Sequence, residues 1–344
     1  MREDTGVSVI GDSLEGKRVI LAVSGGIAAT ESVKLARELR RHGAEVFPMM
    51  TKSAEKVITP LALSWGSGID VVTDWKSEMS QLGGFDGLIL APATRNTIAK
   101  FVHGIIDSPI MMAISAASGS KIPILFVPSM HNDLFQDKVT DDLLSESVNR
   151  GVEIMFDDPQ EGKRKQPDPV EIVATFCNFV NRSIPGRKKV AITLGANAAP
   201  IDSIRKIVNT SSGNTGWSIA EYLHRMGHDV VCVSGITSRK PTFSLPDIRI
   251  AESPDSMLEE SIIVANSENK PEFWIHAAAI LDYSPEPISG KFPSNSGDWE
   301  ITLKPTLKHL EVLKEHTVGC KRIAFKLEVT GAEDSLISKS IDLI

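Results

Sequence analysis

The stretch RVILAVSGGIAATESVKLARELRRHGAEVFPMM, residues 18–50, reads as strand, glycine turn, helix and strand. Its first run, RVILAV (18–23), is apolar without alternation, and so is AEVFPMM (44–50). ATESVKLARELRRHG (29–43) between them has the period of an amphipathic helix. Strands apolar on both sides need cover on both faces, so a parallel sheet with helices either side is the economical arrangement. GLILAP (87–92) and IPILFVP (122–128) extend the pattern, separated by helical TRNTIAKFVHGII and apolar SPIMMAISAAS. A polar loop, FDDPQEGKRKQPDP (156–169), then leads into a closing helix, PDPVEIVATFCNFVNRS.

IPGRKK (184–189) reads as a linker, after which the same logic restarts. VAITLGANAAP (190–200), DVVCVSG (229–235), EFWIHAAA (272–279) and RIAFKLE (322–328) are strand-like. TGWSIAEYLHRMGH (215–228), PDSMLEESIIVANS and TLKHLEVLKEH are helical. The expected fold class is α/β, with two open, mostly parallel, Rossmann-like sheets: a domain over 1–183, a linker over 184–189 and a domain over 190–344. The closing run SLISKSIDLI looks like the start of one more strand, so the second domain is expected to be incomplete at its carboxyl end.

Length and composition agree with two ordinary globular domains. The chain has 344 residues, 42% hydrophobic and 24% charged, against roughly 100–200 residues for a typical domain. A net charge of −7 argues against a nucleic-acid partner, whose phosphates call for a basic face. Cys177, Cys232 and Cys320 are far apart and lie in or beside apolar runs, as buried thiols of a reducing compartment do. No run reaches the ~18 apolar residues of a membrane span, and the polar amino terminus lacks a signal peptide's apolar region. A cytoplasmic protein is expected.

In an open α/β sheet, ligands collect where strand ends meet helix N-termini. Ser24, Gly25 and Gly26 follow the first strand and open a helix, which allows close backbone approach to an anion. The same pattern is also ordinary turn chemistry. TKSAEK (51–56), with Ser53, repeats the geometry after the next strand. APATRNTIAK (91–100) gathers Thr94, Asn96 and Thr97 at a third strand end, more polar groups than one helix cap uses. PSMHNDLF (128–135) places Met130, His131 and Asn132 at a fourth. In the second half, IVNTSSGNTGWSIAEYL (207–223) sets Asn209, Ser211, Ser212 and Gly213 before an amphipathic helix, either as an over-capped helix or as donors for anionic oxygens.

Taken in order, SGGIAAT, APATRNTIAKFVHGIID and PSMHNDLF resemble the flavoproteins that decarboxylate cysteinyl compounds, specifically the phosphopantothenoylcysteine decarboxylase half of the bifunctional coenzyme A enzymes. The resemblance implies FMN as cofactor, with its phosphate held by Ser24, Gly25, Gly26 and Ser53 and its flavin contacted by Thr94, Asn96 and Thr97. It also implies a substrate clamp at Met130, His131 and Asn132. The histidine in this loop corresponds to the variant associated with archaeal members. Two family groups are missing: the catalytic histidine expected within DWKSEMSQLGGFDG (74–87), and a proton-donating cysteine of the flap, here DDPQEGKRKQPDP. His131 is the candidate to replace the base, or it only clamps substrate.

From about Lys188 onward the chain resembles phosphopantothenate-cysteine ligase. ITLGANAAPIDSIRKIVNTSSGNTG, AAILDYSP, Lys291 in SGKF, LKPTLKHLEVL and IAFKLE carry the likeness. It implies that Gly195, Ser211, Ser212, Gly213, Ala278, Asp282, Lys291 and Phe325 hold CTP or ATP with Mg2+, and that Asn209 positions phosphopantothenate or its acyl-nucleotidyl intermediate. No side chain is assigned to the metal. Ala196-Asn197 and Thr306-Leu307 depart from the family's Gly-Thr and Asn-Pro.

The implied function is bifunctional. 4'-Phosphopantothenate and cysteine are joined to phosphopantothenoylcysteine, which is then decarboxylated, in a homo-oligomer with a trimeric flavoprotein domain and a dimeric ligase domain. Two other readings keep the flavin fold: decarboxylation of peptide cysteines or flavin prenylation, and a regulatory or scaffold protein with its decarboxylase chemistry lost.

Overall fold

The structure, a computed structural model, describes residues 6–75, 83–157 and 163–326. The chain divides into two compact units, Met1–Ser183 and Ile184–Ile344.

The first unit contains β1 (Arg18–Val23), α1 (Ser32–Arg41), β2 (Glu45–Met50), α2 (Pro60–Ser67), β3 (Gly87–Ala93), α3 (Arg95–Val102) and α4 (Pro109–Gly119). It continues through β4 (Ile124–Pro128), β5 (Met130–His131), α5 (Asn132–Phe135), α6 (Lys138–Asn149), β6 (Val152–Ile154), β7 (Lys163–Arg164) and α7 (Pro169–Asn181). Five parallel strands form one sheet in the order β2-β1-β3-β4-β6.

The unbroken apolar runs follow from the period of two along each strand. Val19, Leu21 and Val23 of β1, with Ile89 and Ala91 of β3, enter a core shared with Leu35, Leu39, Leu63, Ile172 and Phe176. Ile20, Ala22, Leu88 and Leu90 enter the opposite core with Ile98, Phe101, Ile110, Ile114 and Leu143. Each face is therefore covered by helices. SPIMMAISAAS supplies one of them, α4, started by Pro109 at its first turn. The polar loop at 156–169 is not wholly irregular, because Lys163–Arg164 form β7, antiparallel to β5.

The second unit contains β8 (Lys189–Leu194), β9 (Ala198–Pro200), β10 (Lys206–Val208), α8 (Asn214–Arg225), β11 (Asp229–Ser234), β12 (Asp247–Ile250) and α9 (Pro254–Ala265). β13 (Phe273–His276), β14 (Tyr283–Pro285), β15 (Leu303–Pro305), α10 (His309–His316) and β16 (Lys321–Ala324) follow. Its main sheet is again five parallel strands, β12-β11-β8-β13-β16, with antiparallel ribbons β9-β10 and β14-β15 beside it. The apolar run at 190–200 is thus two strands rather than one, broken at Gly195, whose φ of +81° no extended strand accommodates. α9 begins with a reciprocal Ser253–Ser256 capping box and packs Met257 and Val264 onto Val231, Val233 and Trp274.

Cys177 and Cys232 are buried as expected, and burial pushes the Cys232 thiol up to about 12. Cys320 is only half-buried, because it lies in the turn before edge strand β16. Among the described residues no helix is long and apolar enough to cross a membrane. The run SLISKSIDLI falls outside the described residues.

Phe176 lies on Gly87, where a Cβ would stand 2.5 Å from its Cζ. Phe176→Ala is expected to cost the first unit about 3–5 kcal/mol, read as the loss of free energy in its urea unfolding transition. A loss below ~1 kcal/mol would show that the site collapses around the cavity.

Candidate functional sites

In the first unit the chain runs from β1 outward to β2, then crosses back to β3 on the other side of β1. The connections leaving β1 and β3 therefore diverge, and a crevice opens between their carboxyl ends. Ser24 spans it. Its hydroxyl donates to Pro92 O at 2.7 Å, accepts from Thr94 N at 2.9 Å and lies 3.1 Å from Thr94 Oγ1. Thr94 Oγ1 is also 3.0 Å from Thr97 Oγ1. The polar surplus after β3 is thus accounted for in part by a hydroxyl chain across the crevice, since Thr94, the N-cap residue of α3, makes no side-chain cap bond.

Gly25 and Gly26 differ in what they allow. A Cβ at Gly25 would lie 2.3 Å from Ser53 Cβ, so only glycine lets the β1 turn sit on the β2 turn. A Cβ at Gly26 would meet only Thr94 Cγ2 at 3.5 Å and Pro92 Cγ at 3.6 Å, ordinary contacts, with the backbone at φ −107°. A Cβ there strains nothing and takes up space beside Thr94 and Pro92. Ser53 and Asn96 are exposed beside it, whereas Thr97 is buried.

Ala93 is in register with Pro128, which brings the next loop alongside. Met130 is half-buried, His131 exposed and Asn132 half-buried. His131 precedes the four-residue α5 without capping it by side chain, and pairs through its backbone with Lys163 as Met130 does with Arg164. The loop expected to clamp substrate is therefore paired, over two residues, with backbone of the following polar segment. The segments 74–87 and 157–169, which lack the family histidine and cysteine, lie partly outside the described residues, at 76–82 and 158–162.

In the second unit β8 stands between strands reached in opposite directions, and its crevice opens towards β13. Ala279 N donates to Gly195 O at 2.7 Å, and Asn209 Nδ2 donates to Ala279 O and Ile280 O at 3.2 and 3.1 Å. Asn209 thus holds the loop after β13, leaving its Oδ1 with no partner among the described residues. Gly195 and Gly213 are both left-handed, and a Cβ on either would come within 2.8 and 2.4 Å of Thr237 Cγ2. The loop after β11 is tied there, with Arg239 N donating to Ser212 O and Trp217 Nε1 donating to Arg239 O. Ser211 Oγ and Ser212 Oγ accept from the N–H groups of Gly213 and Asn214, closing local turns ahead of α8, whose N-cap is Gly213 and carries no side-chain cap.

Ala278 is half-buried on the same loop, and Phe325 is exposed, its N–H donating to His276 O. Asp282 is exposed and ion-paired with Lys308 across 26 residues, a partner that no spacing pattern signals. The carboxylate raises the Lys308 pKa. An exposed pair of this kind is worth about 0–1 kcal/mol, so a ligand can displace it. Lys291 is exposed, without a hydrogen-bonding or ion-pair partner among the described residues, in a loop held by Asp202.

Asp202 is the residue that the motif reading passed over, although an Asp opening a turn before Ser-Ile-Arg is a local signal for an Asx turn. Its buried carboxylate accepts from the N–H groups of Ile204, Arg205 and Phe292 and from Arg205 Nη1. Burial by itself would raise its pKa, but the three N–H donors and the guanidinium outweigh it and hold the group at about 2.

The fold and the two crevices define a class: paired parallel-sheet α/β units with a glycine turn at each switch point, the place where such sheets hold phosphate-bearing ligands. Residues 9–181 match the Flavoprotein family model, and residues 186–344 match that of the DNA/pantothenate metabolism flavoprotein C-terminal domain. The coenzyme A biosynthesis bifunctional protein CoaBC of Thermococcus kodakarensis is 34% identical over 333 residues, 94% of this chain and 81% of that one. CoaBC of Escherichia coli K12 is 32% identical over 363 residues, covering 96% and 86%. Among solved structures, the C-terminal domain of a CoaBC is 28% identical with a TM-score of 0.39, covering 47% of this chain and 75% of that one. The chain belongs to the CoaBC family of bifunctional coenzyme A biosynthesis proteins.

The depressed Asp202 pKa has a stability consequence. Because the folded value, about 2, lies below the ordinary 3.8, its stabilisation is full above about pH 4 and is lost as pH falls towards 2. Denaturant midpoints of the second unit, followed by fluorescence of buried Trp274, should fall over that window. The fall should be shallower in Asp202→Asn, and equal slopes in the two proteins would contradict the assignment.

Proposed function

We propose that the second unit couples 4'-phosphopantothenate to cysteine using CTP or ATP with Mg2+, and that the first unit decarboxylates the product, phosphopantothenoylcysteine, with FMN. The observation that carries the reading is the match to the bifunctional family across both units, each with a glycine turn at its switch point. The functional domains are assigned to 1–183 and 190–344, joined by 184–189, in a cytoplasmic homo-oligomer trimeric through the first domain and dimeric through the second.

In the first domain the residues present suit a flavin phosphate. The Gly26 crevice is open, the Gly25–Ser53 contact admits close backbone approach, and Ser53 and Asn96 are exposed beside it. Bound FMN supplies a two-electron sink and source, which makes the substrate cysteine able to lose CO2 and then be reduced. Met130, His131 and Asn132 hold the substrate, with His131 and Asn132 donating to its carboxylate or amide. His131 is assigned to the clamp rather than to proton transfer, since it is exposed and no acidic partner orients its ring among the described residues.

In the second domain, the serine-glycine turn at 211–213 and the α8 N-terminus suit a nucleotide phosphate, and the 278–282 loop suits the nucleoside. Lys291 neutralises developing phosphate charge, and Asn209 Oδ1 orients the activated carboxylate for attack by the cysteine amine.

Purified protein incubated with 4'-phosphopantothenate, cysteine, Mg2+ and either CTP or ATP should yield phosphopantothenoylcysteine and 4'-phosphopantetheine by mass spectrometry. Accumulation of the former alone would leave the first domain a flavin-binding scaffold. Gly26→Val should retain the fold by circular dichroism while losing the flavin absorbance of the purified protein, because its side chain occupies the crevice without straining the backbone. Retained flavin would place the cofactor elsewhere. His131→Asn should keep CO2 release within about tenfold if the side chain clamps, whereas loss of a proton-transfer group costs ~10²–10⁴-fold.

A further inference from the structure

The turn Ile201–Arg205 and the segment Ile288–Phe292 are knit together on both sides of Lys291. Ile288 N donates to Ile201 O at 3.0 Å and Ser203 N to Gly290 O at 3.1 Å. Phe292 N donates to Asp202 Oδ2 at 3.1 Å, and Arg205 Nη1 reaches Phe292 O at 3.4 Å. Gly290, at φ +80°, makes the bend that lets the chain present residue 291 outward. Phe292 then stacks on Trp299 with ring centroids 4.2 Å apart and planes 1° from parallel, and Arg205 lies 5.1 Å over the same indole. Both immediate neighbours of Lys291 are thus fixed, while its own ammonium has no partner among the described residues.

The Asp202 carboxylate is the common point of this arrangement. Its Oδ1 forms the turn by accepting from Ile204 and Arg205 N–H at 2.8 and 2.7 Å. Its Oδ2 takes the Arg205 guanidinium at 2.6 Å together with Phe292 N. The Asp202 side chain is fully buried, so its bonds to the three backbone N–H groups are shielded on the carboxylate side, while Arg205 is 37% exposed. Arg205 is followed at once by β10, Lys206–Val208, and then by Asn209. One turn therefore carries the anchors of both side chains assigned to the ligase chemistry.

We infer that Asp202 is a positioning residue for Lys291, holding the 288–292 segment so that the ammonium is aimed before the nucleotide arrives. The inference rests on the nucleotide-facing role of Lys291 proposed above. Pre-aiming matters because a cation on a flexible stem stabilises developing charge only where it already stands when the charge forms. A displacement of about 1 Å in a group of this kind costs up to ~10²-fold in rate.

A double-mutant cycle on the coupling reaction of the full chain tests it. Lys291→Gln should lower kcat by ~10²-fold or more, and Asp202→Asn by roughly ten- to a hundredfold, with the fold of both confirmed by circular dichroism. If Asp202 acts through Lys291, adding Asp202→Asn to Lys291→Gln should slow the reaction by less than about threefold further, since coupled residues are not additive. An equal loss in both backgrounds would make Asp202 a structural residue only and overturn the inference. Should Asp202→Asn not fold, Trp299→Ala, which unstacks Phe292 and Arg205 while leaving the buried charge paired, should give the same non-additivity at smaller amplitude. A Lys291→Gln protein with wild-type kcat would instead remove the role of Lys291 itself, and the positioning inference with it.

Discussion

Both candidate sites depend on one topological constraint: the strand that starts each unit lies inside its sheet, with later strands added first on one side and then on the other. Connections leaving neighbouring parallel strands in opposite directions cannot pack together above the strand ends, so a crevice opens there. In the first unit it lies between β1 and β3 and is spanned by the Ser24–Thr94–Thr97 hydroxyl chain. In the second it lies between β8 and β13 and is spanned by Asn209 and the backbone bond from Ala279 to Gly195.

The two crevices are finished by different physics. The first uses neutral groups: glycines where a side chain would meet Ser53 or fill the opening, and hydroxyls that satisfy one another. Such a site suits a resident cofactor held by backbone donors and shape. The second unit holds charge with charge in the loops beyond its strands: Asp202 with Arg205, and Asp282 with Lys308, while Lys291 has no partner among the described residues. The buried Asp202 pair is strongly organised by backbone N–H groups, while the exposed Asp282–Lys308 pair is weak and exchangeable.

Departures from the family pattern are also easier to understand in place. Asn197 stands where the family has threonine, and it is completely buried, with Nδ2 directed at the carbonyl of Ser253 at 3.3 Å, the N-cap of α9. It therefore secures the loop after β12 to the loop after β8. Thr306, standing where the family has Asn, donates its hydroxyl to Leu281 O and steadies the loop that carries Asp282. Thr306 is satisfied by that bond, whereas Asn197 is bonded through Nδ2 only and its buried Oδ1 is left without a partner among the described residues.

The sequence by itself determined the two-unit α/β architecture, because a period of two in fully apolar runs and a period of 3.6 between them are local properties of the chain. It also marked the glycine turns, since Ser24-Gly25-Gly26 and Ser211-Ser212-Gly213 each sit between a strand signal and a helix signal. Only the tertiary structure decided which of the nearby polar groups meet. Ser24 bonds to Thr94 seventy residues away, and Asp282 to Lys308 twenty-six away, because strands distant in sequence are neighbours in the sheet. The same holds for Asp202, whose turn is legible locally but whose hold on Phe292 closes ninety residues of chain. Spacing along a sequence reports contacts within a helix or strand; contacts between strand ends depend on sheet order, which the local pattern does not encode.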